Sequence, residues 1–380
     1  MGARLQHRIL DAERLRQLSP AAWDALSANA LVENPFYARH FVVSGLDTMD
    51  RHAGVRAFSV SDASGNLLGL FPFRNRGRVP APFGVAFGAA STYLFSGTPL
   101  VHREHADEVI AAWLDQLAAG RPRGVWTLPD IDTQTPLVEL ILHHAGQRRL
   151  SALPVMPYDR AALTRLPGGF DAHLETVLSK NRLKDVRRTM RRLQEAGTIT
   201  LEHVAEREGL QRRIEDFLRL EHAGWKGERG TSHLSRPEDA EFARRAYARG
   251  PVGFATIDSL LLDGAPIAMK LSIRTGPTAF TPKITYDEAH RKLGPGMALE
   301  YLLIEEFYRT GEPAAVDAAA TAEGHSALDF FNVKKSMATL ILGRRSWQVQ
   351  LLASLFMRRE QLKAWLKTRR SSAAGAVTPR

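Results

Sequence analysis

The sequence predicts an α/β protein of two domains, each a mixed central sheet flanked by helices. Three observations predict it. The 380 residues exceed one ordinary domain and suit two. The composition, 44% hydrophobic and 24% charged, is that of a folded chain with a sizeable core. Between Gly253 and Asp317 strand-like runs, a glycine turn, a helical pattern and a further strand follow one another as one unit.

In the N-terminal half a helix is expected over residues 20–30, and Asn34-Pro35-Phe36 reads as a stop followed by a new start. Residues 55–60 and 67–73 are strand-like around the turn cluster 62–66, which makes a hairpin. The stretch 77–99, rich in Gly, Pro and aromatics without helical period, reads as a loop-rich wall. Ile110, Trp113, Leu114 and Leu117 set a helix over 109–119 closed by Gly120, and 124–128 follows as a strand. At 154–169 the pattern lapses, which places the boundary between halves there.

From Asp171 the stripe Leu174, Val177, Leu178, Leu183, Val186, Met190 and Leu193 predicts one long helix ended by Gly197. A strand over 199–204, a helix over 206–224, a polar loop over 226–235 and a short helix ending at Gly250 come next. Asp263-Gly264 joins strand-like runs 253–262 and 265–273, a strong hairpin signal. A third strand over 279–285 runs through the glycine turn into a helix over 297–310. Gly311 caps that helix, and 314–317 is a further strand.

The absence of cysteine excludes disulfides, thiolate metal sites and a cysteine nucleophile. No apolar run approaches the roughly 18 residues of a membrane span, and residues 1–20 lack the apolar core of a signal peptide, so a cytoplasmic protein is expected. The net charge of +10 points to an anionic partner: a phosphate-bearing co-substrate, nucleic acid or a lipid surface.

A strand running into a glycine turn that opens a helix presents free backbone N–H groups and the positive helix end, where a phosphate is favoured. Here the pattern is Arg291-x-x-Gly294-x-Gly296. Pro295 has no N–H, so Gly294, Gly296 and Met297 must supply the donors, with Arg291 adding charge. A Gly-Pro-Gly helix start is by itself more often just a tight turn.

That pattern, between a strand and a helix, resembles the acyl-CoA pyrophosphate loop of the GNAT superfamily of acyltransferases. The run Lys283-x-x-Tyr286-Asp287-Glu288 to Pro295-Gly296, with Glu221-x-x-x-Trp225-Lys226-Gly227 upstream and residues 317–325 downstream, is similar to the CelD-like branch, itself related to FemAB-type aminoacyltransferases. Asn34-Pro35-Phe36, Leu70-Phe71-Pro72-Phe73 and Ser96-Gly97-Thr98-Pro99-Leu100 are similar to a degenerate N-terminal half of the same kind. The resemblance implies two tandem GNAT-like domains, a degenerate one over 1–165 and a catalytic one over 166–345; the residues beyond, 346–380, read as a basic amphipathic helix and disordered tail. It implies acyl transfer from acyl-CoA, as co-substrate and without metal, to an amine or hydroxyl of a lipid, such as a long-chain amine, or of a polysaccharide precursor. Two other readings stay open: tRNA-dependent aminoacyl transfer to a peptidoglycan precursor, and a basic binding protein with a dead site.

Acyl transfer needs a base for the acceptor and an acid for the departing thiolate. His325 is the expected base, because its ordinary pKa of about 6.5 lies near working pH. Asp317 would orient it or the acceptor, Tyr286 would protonate the thiolate, and Asp287 would hold the acceptor. Lys283 would meet a CoA phosphate beside Arg291, Gly294, Gly296 and Met297, while Glu221, Trp225 and Lys226 would form an acceptor lid. Each also has a plain structural role open to it, as a cap, turn residue or solvated charge.

Two basic faces remain. Residues 180–192 hold Lys180, Arg182, Lys184, Arg187, Arg188, Arg191 and Arg192 against Asp185 alone. Residues 344–370 interleave eight cations with Trp347, Leu351, Leu355, Leu362 and Trp365. The first lacks the aromatic platforms of single-strand RNA binding, so nucleic acid is not the expected partner; together they suit a peripheral contact with an anionic membrane.

Overall fold

The computed structural model describes residues 5–74, 84–88, 93–121, 123–321 and 326–375. The chain opens with strand β1 (Gln6–Asp11), helices α1 (Ala12–Gln17), α2 (Pro20–Ala28) and α3 (Arg39–Asp47), and the hairpin β2 (Val55–Ser61) and β3 (Leu67–Arg74). Short strands β4 (Val85–Phe87) and β5 (Leu100–Val101) precede α4 (Ala106–Ala118), β6 (Val125–Asp132), α5 (Pro136–Gln147) and β7 (Ser151–Thr164). Then follow α6 (Gly169–Val177), α7 (Lys180–Ala196), β8 (Ile199–Val204), α8 (Arg207–Ala223), α9 (Trp225–Glu228) and α10 (Pro237–Ala248). The last part holds β9 (Ala255–Leu262), β10 (Ala265–Ile273), β11 (Thr278–Tyr286), α11 (Pro295–Thr310), β12 (Ala315–Thr321), β13 (Val333–Gly343) and α12 (Ser346–Gly375).

Twelve of these strands form one continuous mixed sheet, β1-β2-β3-β4-β6-β13-β7-β12-β11-β10-β9-β8, with β5 beside β3. The two halves meet edge to edge and exchange strands at the seam. β13, from the end of the chain, pairs with β6 of the first half, while β7 pairs with both β13 and β12. Residues 154–169, where the boundary between halves is expected, therefore contain most of the longest strand. Pro154 and Pro157 and a left-handed Met156 (φ 56°) break its alternation, which hid it from pattern reading.

The expected long helix over 171–197 is two helices. The chain leaves helical geometry at Leu178, and Ser179 caps α7 by accepting a hydrogen bond from the Arg182 N–H at 3.2 Å. The hairpin at Asp263-Gly264 forms as expected, with both residues at positive φ (49° and 83°).

Alternation along the strands assigns the helices to faces. On β9 and β10, Ile257, Met269 and Leu271 pack with Ile214 and Phe217 of α8 and Phe242 of α10, and Phe36 and Phe41 of the first half join that core. Leu260, Ile267 and Ala268 pack on the other face with Ala298 and Leu299 of α11 and Leu193 of α7. The N-terminal half has its own core around Phe71 and Trp113, stacked at 4.7 Å.

Candidate functional site

The site begins where two parallel strands part. β11 and β12 are paired only over Thr278–Ala315, Ala279–Val316 and Phe280–Asp317. Beyond that point β12 turns away. Asp317 accepts the N–H of Ala319 at 2.8 Å, a local turn that takes the place of ladder bonding, and Ala319 lies at φ 49°. Asp317 is itself held by Lys335 Nζ at 2.9 Å, with Arg160 Nη1 at 3.8 Å; Asp317 and Arg160 are buried between β12, β13 and β7, and Lys335 is partly buried. Asp317 shapes the gap by breaking the strand and is not among the residues that line the cavity.

A cavity of about 720 Å³ occupies the gap, within the range of small-molecule sites. Its walls come from both faces of the sheet. Glu221, Trp225 and Lys226 reach it from the α8 side; Gly294, Gly296 and Met297 from the α11 side; and Ile284, Tyr286 and Ala318 from the strands between. Arg291 and Arg182 also line it. Eight of the residues singled out in the sequence thus meet around one space.

At the glycine turn, Gly294 has φ 62°, a left-handed conformation that costs any L side chain. Its N–H donates to Arg291 O and its carbonyl accepts the N–H of Met297, both at 3.1 Å. Of the three expected donors, only the Gly296 N–H has no backbone acceptor among the described residues. A Cβ built on Gly296 would find its nearest neighbour, Tyr286 Cδ1, at 3.6 Å, so this position opens on the cavity. Arg291, exposed and without a salt bridge among the described residues, flanks the turn. The arrangement fits a phosphate at the helix start.

Tyr286 sits beside this turn. Burial, then the neighbouring Glu288, raises its phenol above the ordinary range, so it carries its proton at neutral pH. Asp287 does not line the cavity: its carboxylate accepts the Ala289 N–H at 2.9 Å and pairs with His290 Nδ1 at 2.8 Å, capping a 3₁₀ turn. His325 lies outside the described residues.

On the opposite face Glu221 is the centre of a buried charge cluster. Its Oε2 accepts both the backbone N–H and Nδ1 of His233 at 2.9 and 2.7 Å, and its Oε1 accepts Lys283 Nζ at 3.0 Å, with Lys226 Nζ at 3.6 Å. Burial alone would raise the carboxyl, but the His233 hydrogen bonds and the nearby positive charge outweigh it and hold Glu221 well below the usual carboxylate range. Burial lowers His233 and Lys226. Lys283, expected at a CoA phosphate, is drawn instead to Glu221, because its strand position faces α8 while the glycine turn faces α11. Lys226 donates to the Ile284 carbonyl at 2.8 Å across the cavity wall, and Trp225 stands 42% exposed at the rim under the Arg229 guanidinium, 4.9 Å from its ring.

Sequence reading missed four residues of the site. His233 and Tyr93, stacked at 4.6 Å behind Glu221, sit in segments with no periodic signal. The ion pair Lys270–Glu300 lines the cavity, and its trace in the sequence is a lone charge inside an apolar strand and another on an apolar helix stripe.

Comparison with known proteins agrees with this architecture. Residues 180–330 match the acetyltransferase (GNAT) domain family. A search of curated protein sequences finds no match. Among solved structures the chain is similar to FemX (12% identity, 88% of this chain and 98% of that one, TM-score 0.56). It is also similar to the C-terminal domain of a putative lysylphosphatidylglycerol synthetase from Agrobacterium fabrum (13%, 88% and 96%, 0.53). A third likeness is to a conserved protein of unknown function from Bacteroides thetaiotaomicron (12%, 86% and 98%, 0.54). At such identities the likeness is one of fold: residues 180–330 match a GNAT-type domain, and the chain as a whole is similar in fold to FemX.

Proposed function

We propose that the chain transfers an acyl group from acyl-CoA to an amine or hydroxyl acceptor, using residues 166–345 as its catalytic domain. The observation that carries this reading is the cavity that runs through the parted strands, with an anion-favouring helix start on one face and an acceptor-side cluster on the other. The donor's pyrophosphate would lie at the Gly296 N–H and Arg291, and the acceptor would enter beside Trp225 and Lys226. Tyr286, held protonated, returns a proton to the departing thiolate. Glu221 fixes Lys226 and Lys283 and offsets part of their charge, so the acceptor wall stays ordered before binding. His325 is the base of this proposal; Asp287 and Asp317, the other acidic candidates, are already engaged in a cap and a strand turn.

The acceptor we favour is a lipid or polysaccharide precursor presented at a membrane surface. The exposed Trp347, Leu351, Leu362 and Trp365 of α12, amid its cations, suit a peripheral contact. No helix among the described residues is long and apolar enough to cross a membrane.

The test is release of free CoA thiol, followed with and without candidate amines, in the wild type and in Gly296→Asp. That substitution sends a carboxylate into the space open at Gly296 and should abolish CoA binding by calorimetry without unfolding the chain. Unchanged CoA affinity in Gly296→Asp removes the phosphate site, and binding that depends on an aminoacylated tRNA would favour the tRNA-dependent reaction instead.

A further inference from the structure

Lys270 and Glu300 form a buried ion pair inside the cavity that none of the proposed steps uses. Lys270 lies on β10, and Glu300 on α11 four residues past Gly296, hence on the same helix face and roughly 6 Å further along its axis. Lys270 Nζ is 2.7 and 2.9 Å from the two Glu300 oxygens, and the side chains are 7% and 3% exposed. An ammonium has three N–H donors and a carboxylate about four lone-pair sites. Among the described residues no second hydrogen-bond partner closes either group, and the ring of Phe331 stands 5.5 Å from Nζ. Both groups therefore keep unused hydrogen-bonding capacity at the wall of a binding cavity.

Stability does not account for the pair. Withdrawing two charges from water costs several kcal/mol per ion, and apolar residues of the same volume often serve a fold as well or better. A cavity made for a long aliphatic chain would also be lined more favourably by Leu or Met here. We propose that the Lys270–Glu300 pair reads a zwitterionic α-amino acid group on the ligand, whose ammonium joins Glu300 and whose carboxylate joins Lys270. The four charges then sum to zero and satisfy one another where water is scarce. This rests on the acyl-transfer reading of the cavity and narrows its substrate class. The amino acid is either a free acceptor or the exposed end group of a larger one.

The experiment is calorimetry on the full chain with three probes matched in length. L-Norleucine carries both charges, hexanoate lacks the ammonium and pentylamine lacks the carboxylate. Norleucine should bind at least tenfold more tightly than either. In Lys270→Met/Glu300→Leu that preference should vanish while hexanoate binds no worse. Should the double variant fail to fold, Glu300→Gln, which keeps a bond to Lys270 through its amide oxygen, should weaken norleucine and spare hexanoate. Norleucinamide, which lacks the free carboxylate, and N-acetylnorleucine, which lacks the ammonium, should likewise bind at least tenfold more weakly than norleucine, and full retention with either overturns the reading of both charges. Equal affinity for the three probes on the wild type, or unchanged norleucine affinity in the variants, overturns the proposal. CoA titrated against the same proteins reports the donor site independently, so its loss would refute the acyl-CoA reading without touching the amino-acid preference.

Discussion

Replacing Glu221 by Gln tests whether the buried charge cluster holds the acceptor wall together. The carboxylate accepts three hydrogen bonds at 3.0 Å or less, from the His233 backbone, His233 Nδ1 and Lys283 Nζ, and is 1% exposed. The amide keeps the shape and the His233 bonds to one oxygen, but it turns an N–H₂ toward Lys283 and leaves two lysines unbalanced. Removing one member of a buried ion pair costs about 3–5 kcal/mol. The lower end applies here, because the Lys283 and Lys226 side chains are 12% and 20% exposed and Lys226 keeps the Ile284 carbonyl. Equilibrium urea unfolding of both proteins at several pH values measures it. Since the folded-state pKa of Glu221 is depressed, the wild type should keep its full advantage above the ordinary carboxylate pKa, about 4.3, and lose it progressively as pH falls below that toward the folded value. A difference under about 1 kcal/mol at neutral pH, or one that does not shrink on acidification, would refute the reasoning.

Gly294→Ala should cost about 1–2 kcal/mol, since an L residue must hold φ 62° and its Cβ would stand 3.2 Å from Thr189 Cγ2 of α7; unchanged unfolding in urea would contradict this. On α7, Arg187, Arg191 and Arg192 have no acidic partner among the described residues, and Arg188 has only the exposed Asp185. Reversing all four to Glu should weaken binding to vesicles rich in phosphatidylglycerol, with the difference fading as salt rises. Equal sedimentation of both proteins with the vesicles removes α7 from any membrane contact.

The legible parts of the site were those written in local chemistry. Asp263-Gly264 and Gly294-Pro295-Gly296 announce backbone conformations that few other residues adopt, so the hairpin and helix start around the cavity could be placed from sequence. The long-range parts left no such mark. β13 sits between β6 and β7 although about 170 residues separate β7 from it in sequence, and nothing in Val333–Gly343 states its partners. Lys283 shows the same limit at one residue. Its neighbours in sequence suggested the phosphate loop, but alternation along β11 turns it to the other face, where Glu221 waits on α8.

The two faces explain why Asp317 belongs to the site without touching the ligand space. A sheet with β11 and β12 paired to their ends would separate the glycine turn from the Glu221 cluster by a continuous layer of backbone. The hydrogen bond from Ala319 N–H to Asp317 and the left-handed Ala319 end that pairing after three residues, and Lys335 with Arg160 keeps the carboxylate in place to do so. The cavity therefore depends on a turn inside a strand, made by a buried carboxylate that serves backbone geometry. On the proposed reading, donor and acceptor would meet through the gap that this broken strand leaves.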